Sequence, residues 1–430
     1  MTDATATPKP ASLGVRDVLR IPTYRSLIGG QAVSDIGDGI TLLLLLLVIN
    51  QLTGSTAALA LMAIAEAVPH FTVGLVAGVY VDRWNRRTVM LVADLLRAVI
   101  VISFAFAAMA EALPVLYVLA FAQSSVSTFF RPARGALLPK IVPAEGLPAA
   151  NSLAQGSQVI GSVIGAGIAG LLFGTFGSSF AGFATDAATF LVSFAFISRI
   201  PSSFGRIQND PTAPARQNLR RSLGEGFAIV RGSRALSGSL IAAAVSMLGL
   251  GAVNVLFVPL IINDLRVDAT WMAGIEFAQT SAMLLAAGLV AVLARRLAPT
   301  TIITLALAGI GICIGLMSGV TAIWQVIALL FAVGWMVTPL QAMLQTIVQT
   351  ASTDATRGRV VSLLQACLST ASVTSMAIGG VLGEVIGIRA VYFAAAVIVL
   401  LAAGVAFLLF RGVPRRAATG AVAGVPVEAA

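Results

Sequence analysis

Twelve long apolar runs between Leu27 and Phe410 constrain this chain more than any other feature. A helix of about 20 apolar residues crosses the ~30 Å hydrocarbon core of a bilayer, and each run is close to that length. Hydrophobic residues make up 58% and charged residues 10% of the sequence, against roughly 45–50% and about 25% in soluble domains. LLLLLLV at 42–48 lacks the alternation of barrel strands. The sequence therefore predicts an all-α integral membrane protein with twelve transmembrane helices.

We number the predicted spans 1 to 12 along the chain. They cover residues 27–49, 57–80, 88–109, 113–130, 147–173, 180–200, 238–262, 271–293, 301–319, 324–348, 360–383 and 390–410. The predicted organisation is an N-terminal tail at 1–26, a six-helix half at 27–200, a linker at 201–237, a second six-helix half at 238–410 and a C-terminal tail at 411–430. Leu223, Phe227 and Val230 have helical spacing, which predicts a short amphipathic helix in the linker.

Basic residues concentrate in the connections that alternating spans place on one side of the membrane. Among the 27 lysines and arginines, only Arg97, Arg266 and Arg389 lie elsewhere. Because such residues near span ends are retained in the cytoplasm, we predict a multi-pass protein of the cell inner (plasma) membrane with both termini cytoplasmic. The same bias accounts for the net charge of +9. We therefore expect the lipid bilayer as a partner and no nucleic acid.

The connection between spans 2 and 3 contains the segment GVYVDRWNRRTVM at 78–90. Its spacing of one glycine, one aspartate and three arginines resembles the loop signature of the major facilitator superfamily. Asn85 stands where that family usually has glycine, and asparagine also tolerates a left-handed backbone. The resemblance implies the major facilitator fold, in which two six-helix halves enclose a central cavity, and the substrate site of such transporters lies near the membrane midplane.

Further segments resemble the branch of that superfamily that includes enterobactin exporters and macrolide efflux proteins. These segments are 130–153, 183–194, 225–236 and 379–393. The span 5 sequence GSVIGAGIAG also resembles the glycine signature of the superfamily's antiporters, with Ala166 in place of proline. Its glycines, which equally allow close helix packing, are Gly161, Gly165, Gly167 and Gly170.

The resemblance implies a secondary active transporter that exports a small amphiphilic molecule, such as a drug, a macrolide-like compound or a siderophore. It also implies proton antiport with alternating access. A proton-coupled uptake permease and a non-transporting membrane receptor are the alternatives. No enzyme motif, cofactor motif or metal-binding motif is present in the sequence, so we expect no enzymatic activity, no cofactor and no metal. The expected partners are the small-molecule substrate and protons, and we expect a functional monomer.

Acidic residues inside the spans are candidates for proton coupling, because a charge at the bilayer centre costs at least about 2.5–3.5 kcal/mol. Asp35 and Asp38 are three residues apart on one face of span 1. Glu66 and His70 have a similar relation, one turn apart in span 2. The alternative roles are packing for Asp38 and a structural hydrogen-bonded pair for Glu66 and His70.

A cytoplasmic latch is the second predicted element. The Asp82 carboxylate can accept hydrogen bonds from the positive N-terminal end of span 11 and from nearby arginines, so Asp82, Arg83 and Arg86 would form a latch across the two halves. An internal ion pair between Asp94 and Arg97 in span 3 would extend this latch. The predicted gate comprises Gly78, Asp82, Arg83, Arg86, Arg87, Asp94 and Arg97. The alternative is a basic stop signal that only fixes topology.

Polar residues in other spans are candidates for lining a substrate cavity. Asp186 in span 6 and Glu276 in span 8 lie toward the outer halves of their spans, and either could face an outer vestibule, with Glu276 the better substrate candidate. The cavity candidates are Gln123, Ser127, Glu276, Gln279, Gln341 and Gln345, with Thr280 and Gln349 beside them. Hydrogen bonds between helices, typically worth about 0.6 kcal/mol each, are the alternative role of these side chains.

Overall fold

The computed structural model describes residues 13–81, 83–176, 179–205 and 219–411. Fourteen α-helices form within these ranges. They are α1 (Val15–Leu19), α2 (Pro22–Thr53), α3 (Thr56–Val81), α4 (Arg86–Met109), α5 (Leu113–Ile141), α6 (Leu147–Phe176), α7 (Phe180–Ser198), α8 (Leu219–Gly232), α9 (Arg234–Pro259), α10 (Trp271–Arg296), α11 (Pro299–Met317), α12 (Ile323–Ala351), α13 (Asp354–Val385) and α14 (Ile388–Phe410). Short 3₁₀ turns occupy Ala144–Gly146 and Ser202–Gly205, and a π-helical turn at Leu260–Asp264 continues α9.

The described part of the chain contains twelve helices that are long and apolar enough to cross a membrane, which confirms the predicted number. Spans 1 to 6 are α2 to α7, and spans 7 to 12 are α9 to α14. The apolar run of span 4 ends near residue 130, whereas its helix α5 continues to Ile141 through Pro132 and Pro139. Prolines are tolerated inside membrane helices because neighbouring groups satisfy the backbone atoms that they leave unpaired.

The chain divides into two compact units. Of the described residues, unit 1 contains those up to Val48 and from Ala65 to 205, and unit 2 contains 49–64 and 219–411. Within unit 2, Asn50 and Asn263 exchange side-chain amide hydrogen bonds of 2.9 and 3.0 Å. Thr56 Oγ1 donates to the Gly380 carbonyl oxygen at 2.6 Å. The connection between α2 and α3 is therefore held by groups of unit 2.

Asn85 begins α4 as its N-cap. Its side-chain oxygen accepts hydrogen bonds from the backbone N–H groups of Arg87 (3.1 Å) and Thr88 (3.3 Å). The backbone of Asn85 is extended, with φ −62° and ψ 114°, so the tolerance of asparagine for a left-handed backbone is not used here. Asparagine is among the most favoured N-cap residues, and this role gives a physical reason for asparagine at the position where the family usually has glycine.

Ser375 joins α13 to α9 in unit 2. Its hydroxyl donates to the Leu248 carbonyl oxygen at 2.7 Å and accepts from the Ala252 N–H at 2.9 Å. The close approach of α9 to α13 depends on Gly251, because a Cβ at this position would lie 2.6 Å from the Ser372 carbonyl oxygen. One hydroxyl thus bridges the two backbone groups that normally form a helical i to i−4 bond.

Candidate functional site

Three glycine contacts fix the position of α2 against α6 in unit 1. A Cβ at Gly161 would lie 2.7 Å from Asp35 Cβ, and one at Gly39 would lie 2.9 Å from Ser162 Cα. A Cβ at Gly165 would overlap the Ile36 carbonyl oxygen. The two helices therefore cross with their backbones in contact, as small residues allow in membrane proteins. Of the other two glycines of the span 5 motif, Gly170 is buried and Gly167 is half-buried in α6.

Asp35 lies at this crossing. Its carboxylate accepts a hydrogen bond of 2.9 Å from Ser157 Oγ on α6. Ser157 also lines a cavity of about 580 Å³ between α1, α2 and α6. The cavity is mainly apolar and has Arg25, Ser152 and Ser157 as its polar lining residues. Its volume is in the usual range of about 300–1,000 Å³ for small-molecule sites.

Asp38, one turn further along α2, forms an ion pair with Arg97 of α4. The Arg97 side chain is only 6% exposed, whereas that of Asp38 is 46% exposed. The guanidinium carbon also lies 4.1 Å from the centroid of the Phe190 ring on α7, within the range of a cation–π contact. The predicted ion pair of Arg97 with Asp94 is therefore wrong. Arg97 reaches a carboxylate on another helix instead of the one three residues earlier on its own helix.

Asp94 is fully buried between α4 and α7. One carboxylate oxygen, Oδ2, accepts from Ser193 Oγ at 2.7 Å. The other, Oδ1, has no hydrogen-bond partner within the described residues, and the same is true of the buried Nε of Arg97. Two complementary buried groups, one acceptor and one donor, thus remain unused three residues apart on one helix.

Asp186 on α7 is also fully buried, so of the two candidates for an outer vestibule this one does not face it. Its carboxylate accepts from Thr41 Oγ1 of α2 at 2.5 Å and from Thr189 Oγ1 at 3.0 Å. Gly37 makes room for it, because a Cβ there would overlap the Asp186 carboxylate and the Thr189 hydroxyl. Thr41 is therefore the main donor to this acid, while the single hydroxyl proton of Thr189 is shared with the Asp186 backbone carbonyl oxygen at 2.7 Å.

The hydroxyl groups that complete this cluster were not predicted from the sequence. On α7, Asp186, Thr189 and Ser193 have the i, i+3, i+7 spacing of one helical face, which is a signal that could have grouped them. We define the acid–arginine cluster as the four aspartates on α2, α4 and α7 that are described above, together with Arg97 and the hydroxyls bonded to these aspartates. Its members are Asp35, Asp38, Thr41, Asp94, Arg97, Ser157, Asp186, Thr189 and Ser193.

Glu66 and His70 lie one turn apart on α3, but their side chains do not form the predicted direct pair. The His70 Nδ1 lies 3.1 Å from the Glu66 backbone carbonyl oxygen and 3.0 Å from Ser124 Oγ. The Ser124 hydroxyl itself donates to the same carbonyl oxygen at 2.5 Å. His70 is exposed and Glu66 is half-buried. The imidazole therefore contacts the Glu66 backbone carbonyl oxygen and the Ser124 hydroxyl near Pro69, and not the Glu66 carboxylate.

The predicted cytoplasmic gate is only partly visible. Asp82 lies outside the described residues, so its predicted contact with the start of α13 stays a prediction. Arg83 is exposed, and Arg87 Nη2 donates to the Ser198 carbonyl oxygen at 2.6 Å within unit 1. Two further gate positions are Gly78, in the last turn of α3, and the half-buried Arg86 at the start of α4.

The cavity candidates differ in exposure. Gln341, Gln345 and Gln349 are all exposed on one face of α12, and their predicted role in lining a cavity stays a prediction. Gln123 is buried on α5, and its Oε1 has no partner within the described residues. The remaining candidates are half-buried: Ser127 on α5, and Glu276, Gln279 and Thr280 on α10.

Comparison with known proteins identifies the family. The family model of the Major Facilitator Superfamily matches residues 27–313 and 239–427. The chain belongs to the major facilitator superfamily. The fold agrees with a crystal structure of a bacterial homologue of the iron transporter ferroportin in an inward-facing state, with a TM-score of 0.73 over 91% of this chain and 99% of that one. The sequence identity is 15%, so this likeness concerns the fold alone.

Two relatives carry names that describe efflux. The multidrug efflux pump Tap of Mycolicibacterium fortuitum is 28% identical to this chain. The alignment covers 87% of this chain and 92% of Tap. Macrolide efflux protein A of Streptococcus pyogenes is 29% identical over 56% of this chain. The match spans only 59% of the length of that relative.

Proposed function

We propose that the protein is a secondary active transporter that exports a small amphiphilic molecule by proton antiport with alternating access. The observation that carries this proposal is the similarity to the multidrug efflux pump Tap over 92% of that protein's length. Drugs, macrolide-like compounds and siderophores are the substrate classes we consider. The apolar cavity beside Asp35 and Ser157 in unit 1 is suited to an amphiphile, since it combines an apolar wall with a few polar groups.

We propose that the coupling proton binds Asp38. This carboxylate is half exposed, so a proton can reach it, whereas Arg97 is almost completely buried and stays charged because a guanidinium does not deprotonate in proteins. Proton binding removes the charge on Asp38 and leaves Arg97 in need of another anionic partner. Asp94 Oδ1 is available on the same helix. The proton thereby releases α2 from α4 as Arg97 exchanges Asp38 for Asp94.

The other acids of the cluster are less suited to this role. Asp35 keeps a hydrogen bond from Ser157, and Asp186 keeps one from Thr41 and shares the hydroxyl proton of Thr189. Asp38 instead has the charged side chain of Arg97 as its partner. Protonation of Asp38 therefore removes an ion pair, whereas protonation of the other two acids affects only hydrogen bonds from hydroxyls. The two coupling candidates on α3, Glu66 and His70, take no part in the proposed exchange, because the contacts of His70 are to a backbone carbonyl and a hydroxyl.

Replacing Asp38 by asparagine is expected to abolish proton-driven export. The test is accumulation of a panel of fluorescent dyes and macrolide antibiotics in cells, measured with and without a proton uncoupler. Wild-type cells should accumulate less of an exported compound, the uncoupler should remove that difference, and Asp38→Asn cells should match cells without the protein. Glu111→Gln, which alters an exposed acid in the α4–α5 connection, should behave as wild type.

Other outcomes of this assay point elsewhere. Higher accumulation in wild-type cells would favour an uptake permease, and uncoupler-sensitive export by Asp38→Asn would exclude Asp38 as the coupling site. Equal accumulation across the panel would favour a receptor. We also propose that both termini and the linker lie in the cytoplasm, in keeping with the positions of the basic residues, and that the monomer is the functional form.

A further inference from the structure

The linker helix α8 is fixed to unit 2 along one face. Glu225 forms a salt bridge of 2.6 Å with Arg359 near the start of α13. A Cβ at Gly226 would lie 2.7 Å from the Arg359 carbonyl oxygen, and Val230 is buried. This face of α8 is therefore in contact with protein and has a defined orientation.

A second face of α8 is exposed and carries an aromatic and a basic residue. Phe227 is 58% exposed, and Arg231, one turn later, is exposed as well. α8 ends at Gly232, two residues before α9 begins at the exposed Arg234. Because α9 is a membrane span, these side chains lie at the end of a span, where water, lipid headgroups and hydrocarbon meet.

The end of α14 adds a second aromatic and a third arginine to this region. A Cβ at Gly238 of α9 would lie 2.8 Å from Phe410 Cε1, so the start of α9 packs against the end of α14. Arg411 follows directly, and its guanidinium carbon lies 4.6 Å from the centroid of the Phe407 ring. Phe407 is 51% exposed.

We name this region the α8–α14 patch. Its members are Phe227, Arg231, Arg234, Phe407 and Arg411. Within the described ranges, none of its three arginines forms a salt bridge. By contrast, the nearby Arg359 has Glu225 as its partner. The patch thus combines two exposed rings at a membrane boundary with three arginines that have no ion-pair partner among the described residues.

We propose that the α8–α14 patch binds an anionic phospholipid of the surrounding bilayer. Arginine pairs with phosphate through charge-assisted and often bidentate hydrogen bonds, and clustered basic residues beside a span attract anionic headgroups. The exposed rings provide contact for the apolar part of the lipid, because aromatic side chains favour the membrane–water interface. A lipid bound here would connect α8 with both α9 and α14, and would therefore stabilise the docked linker helix.

The test uses the purified full-length protein in a non-ionic detergent. Phosphatidylglycerol and phosphatidylcholine with identical acyl chains are titrated separately, and the retained lipid is counted by native mass spectrometry. We expect preferential retention of phosphatidylglycerol by the wild type. Arg234→Gln/Arg411→Gln should lower its affinity about thirtyfold, because each arginine near an anionic surface contributes about 1 kcal/mol and every 1.4 kcal/mol is about tenfold in affinity. The same variant should leave phosphatidylcholine retention unchanged.

A matched double variant separates a specific site from general surface charge. Arg295→Gln/Arg296→Gln removes two exposed arginines from the end of α10, the end that lies on the same membrane side as the start of α9. This variant should retain phosphatidylglycerol like the wild type. Equal losses in the two double variants would show non-specific attraction only and would overturn the proposal, as would equal retention of the two lipids by the wild type. Neither result depends on transport activity.

Discussion

Gly165→Val is expected to prevent correct assembly of unit 1. A Cβ at this position would overlap the Ile36 carbonyl oxygen and lie 2.8 Å from both Gly39 Cα and Ile40 N. These are backbone atoms of α2, which cannot rotate away as a side chain can. Ordinary overpacking of a core costs about 1–3 kcal/mol, and we expect the cost here to exceed that range because two helices have to separate. The measurement is the monodisperse fraction and the thermal unfolding midpoint of the purified protein.

The same helix provides the control. Gly156 has no heavy atom within 4 Å of its added Cβ position, so Gly156→Ala should fold normally. Replacing a mid-helix glycine by alanine stabilises by roughly 0.5–1 kcal/mol, and a small rise in the unfolding midpoint is expected. If Gly165→Val were as monodisperse and as heat-resistant as the wild type, the close crossing of α2 and α6 would be refuted.

The spans were predictable from the sequence because a bilayer imposes one simple requirement, a long apolar helix. The helix ends were less predictable. α2 begins at Pro22 and continues to Thr53, beyond the apolar run at 27–49, because a helix can extend past the hydrocarbon into polar surroundings. The linker helix α8 was found from the spacing of Phe227 and Val230, and the structure buries Val230.

The members of the site were easier to predict than their partners. Asp35, Asp38, Asp94 and Arg97 stood out because charged residues are rare inside spans. The partner of Arg97 depends on which helices are neighbours, and a single sequence does not contain that information. A local i, i+3 rule favoured Asp94, whereas the packing of α2 beside α4 places Asp38 against the guanidinium.

Hydroxyl partners were hidden for a related reason. Serine and threonine side chains in membrane helices can bond to their own backbone, as Ser103 does to the Val99 carbonyl oxygen. Ser157 and Ser193 are likewise serines within membrane helices, but their hydroxyls donate to carboxylates on other helices. The difference lies in the tertiary contact, so residue type alone does not separate the two groups.

Asp38→Asn alone is expected to destabilise the protein only modestly, whereas Asp38→Asn/Asp94→Asn should be severely destabilised. In the single variant, Arg97 can exchange its lost partner for the unused oxygen of Asp94. In the double variant, a buried guanidinium that cannot lose its proton has neither carboxylate. Removing one partner of a buried ion pair typically costs about 3–5 kcal/mol. We expect this cost to appear in the double variant as an excess over the sum of the two single variants.

A double-mutant cycle measures that excess through the free energy of unfolding of the four proteins. The matched control is a second cycle with Glu276→Gln instead of Asp94→Asn. Glu276 is a half-buried acid on α10 of unit 2 and forms no ion pair among the described residues, so Asp38→Asn/Glu276→Gln should be close to additive. Additive effects of Asp38→Asn and Asp94→Asn, or a full loss of stability in Asp38→Asn alone, would contradict the partner exchange and would remove Asp94 from the proposed coupling step.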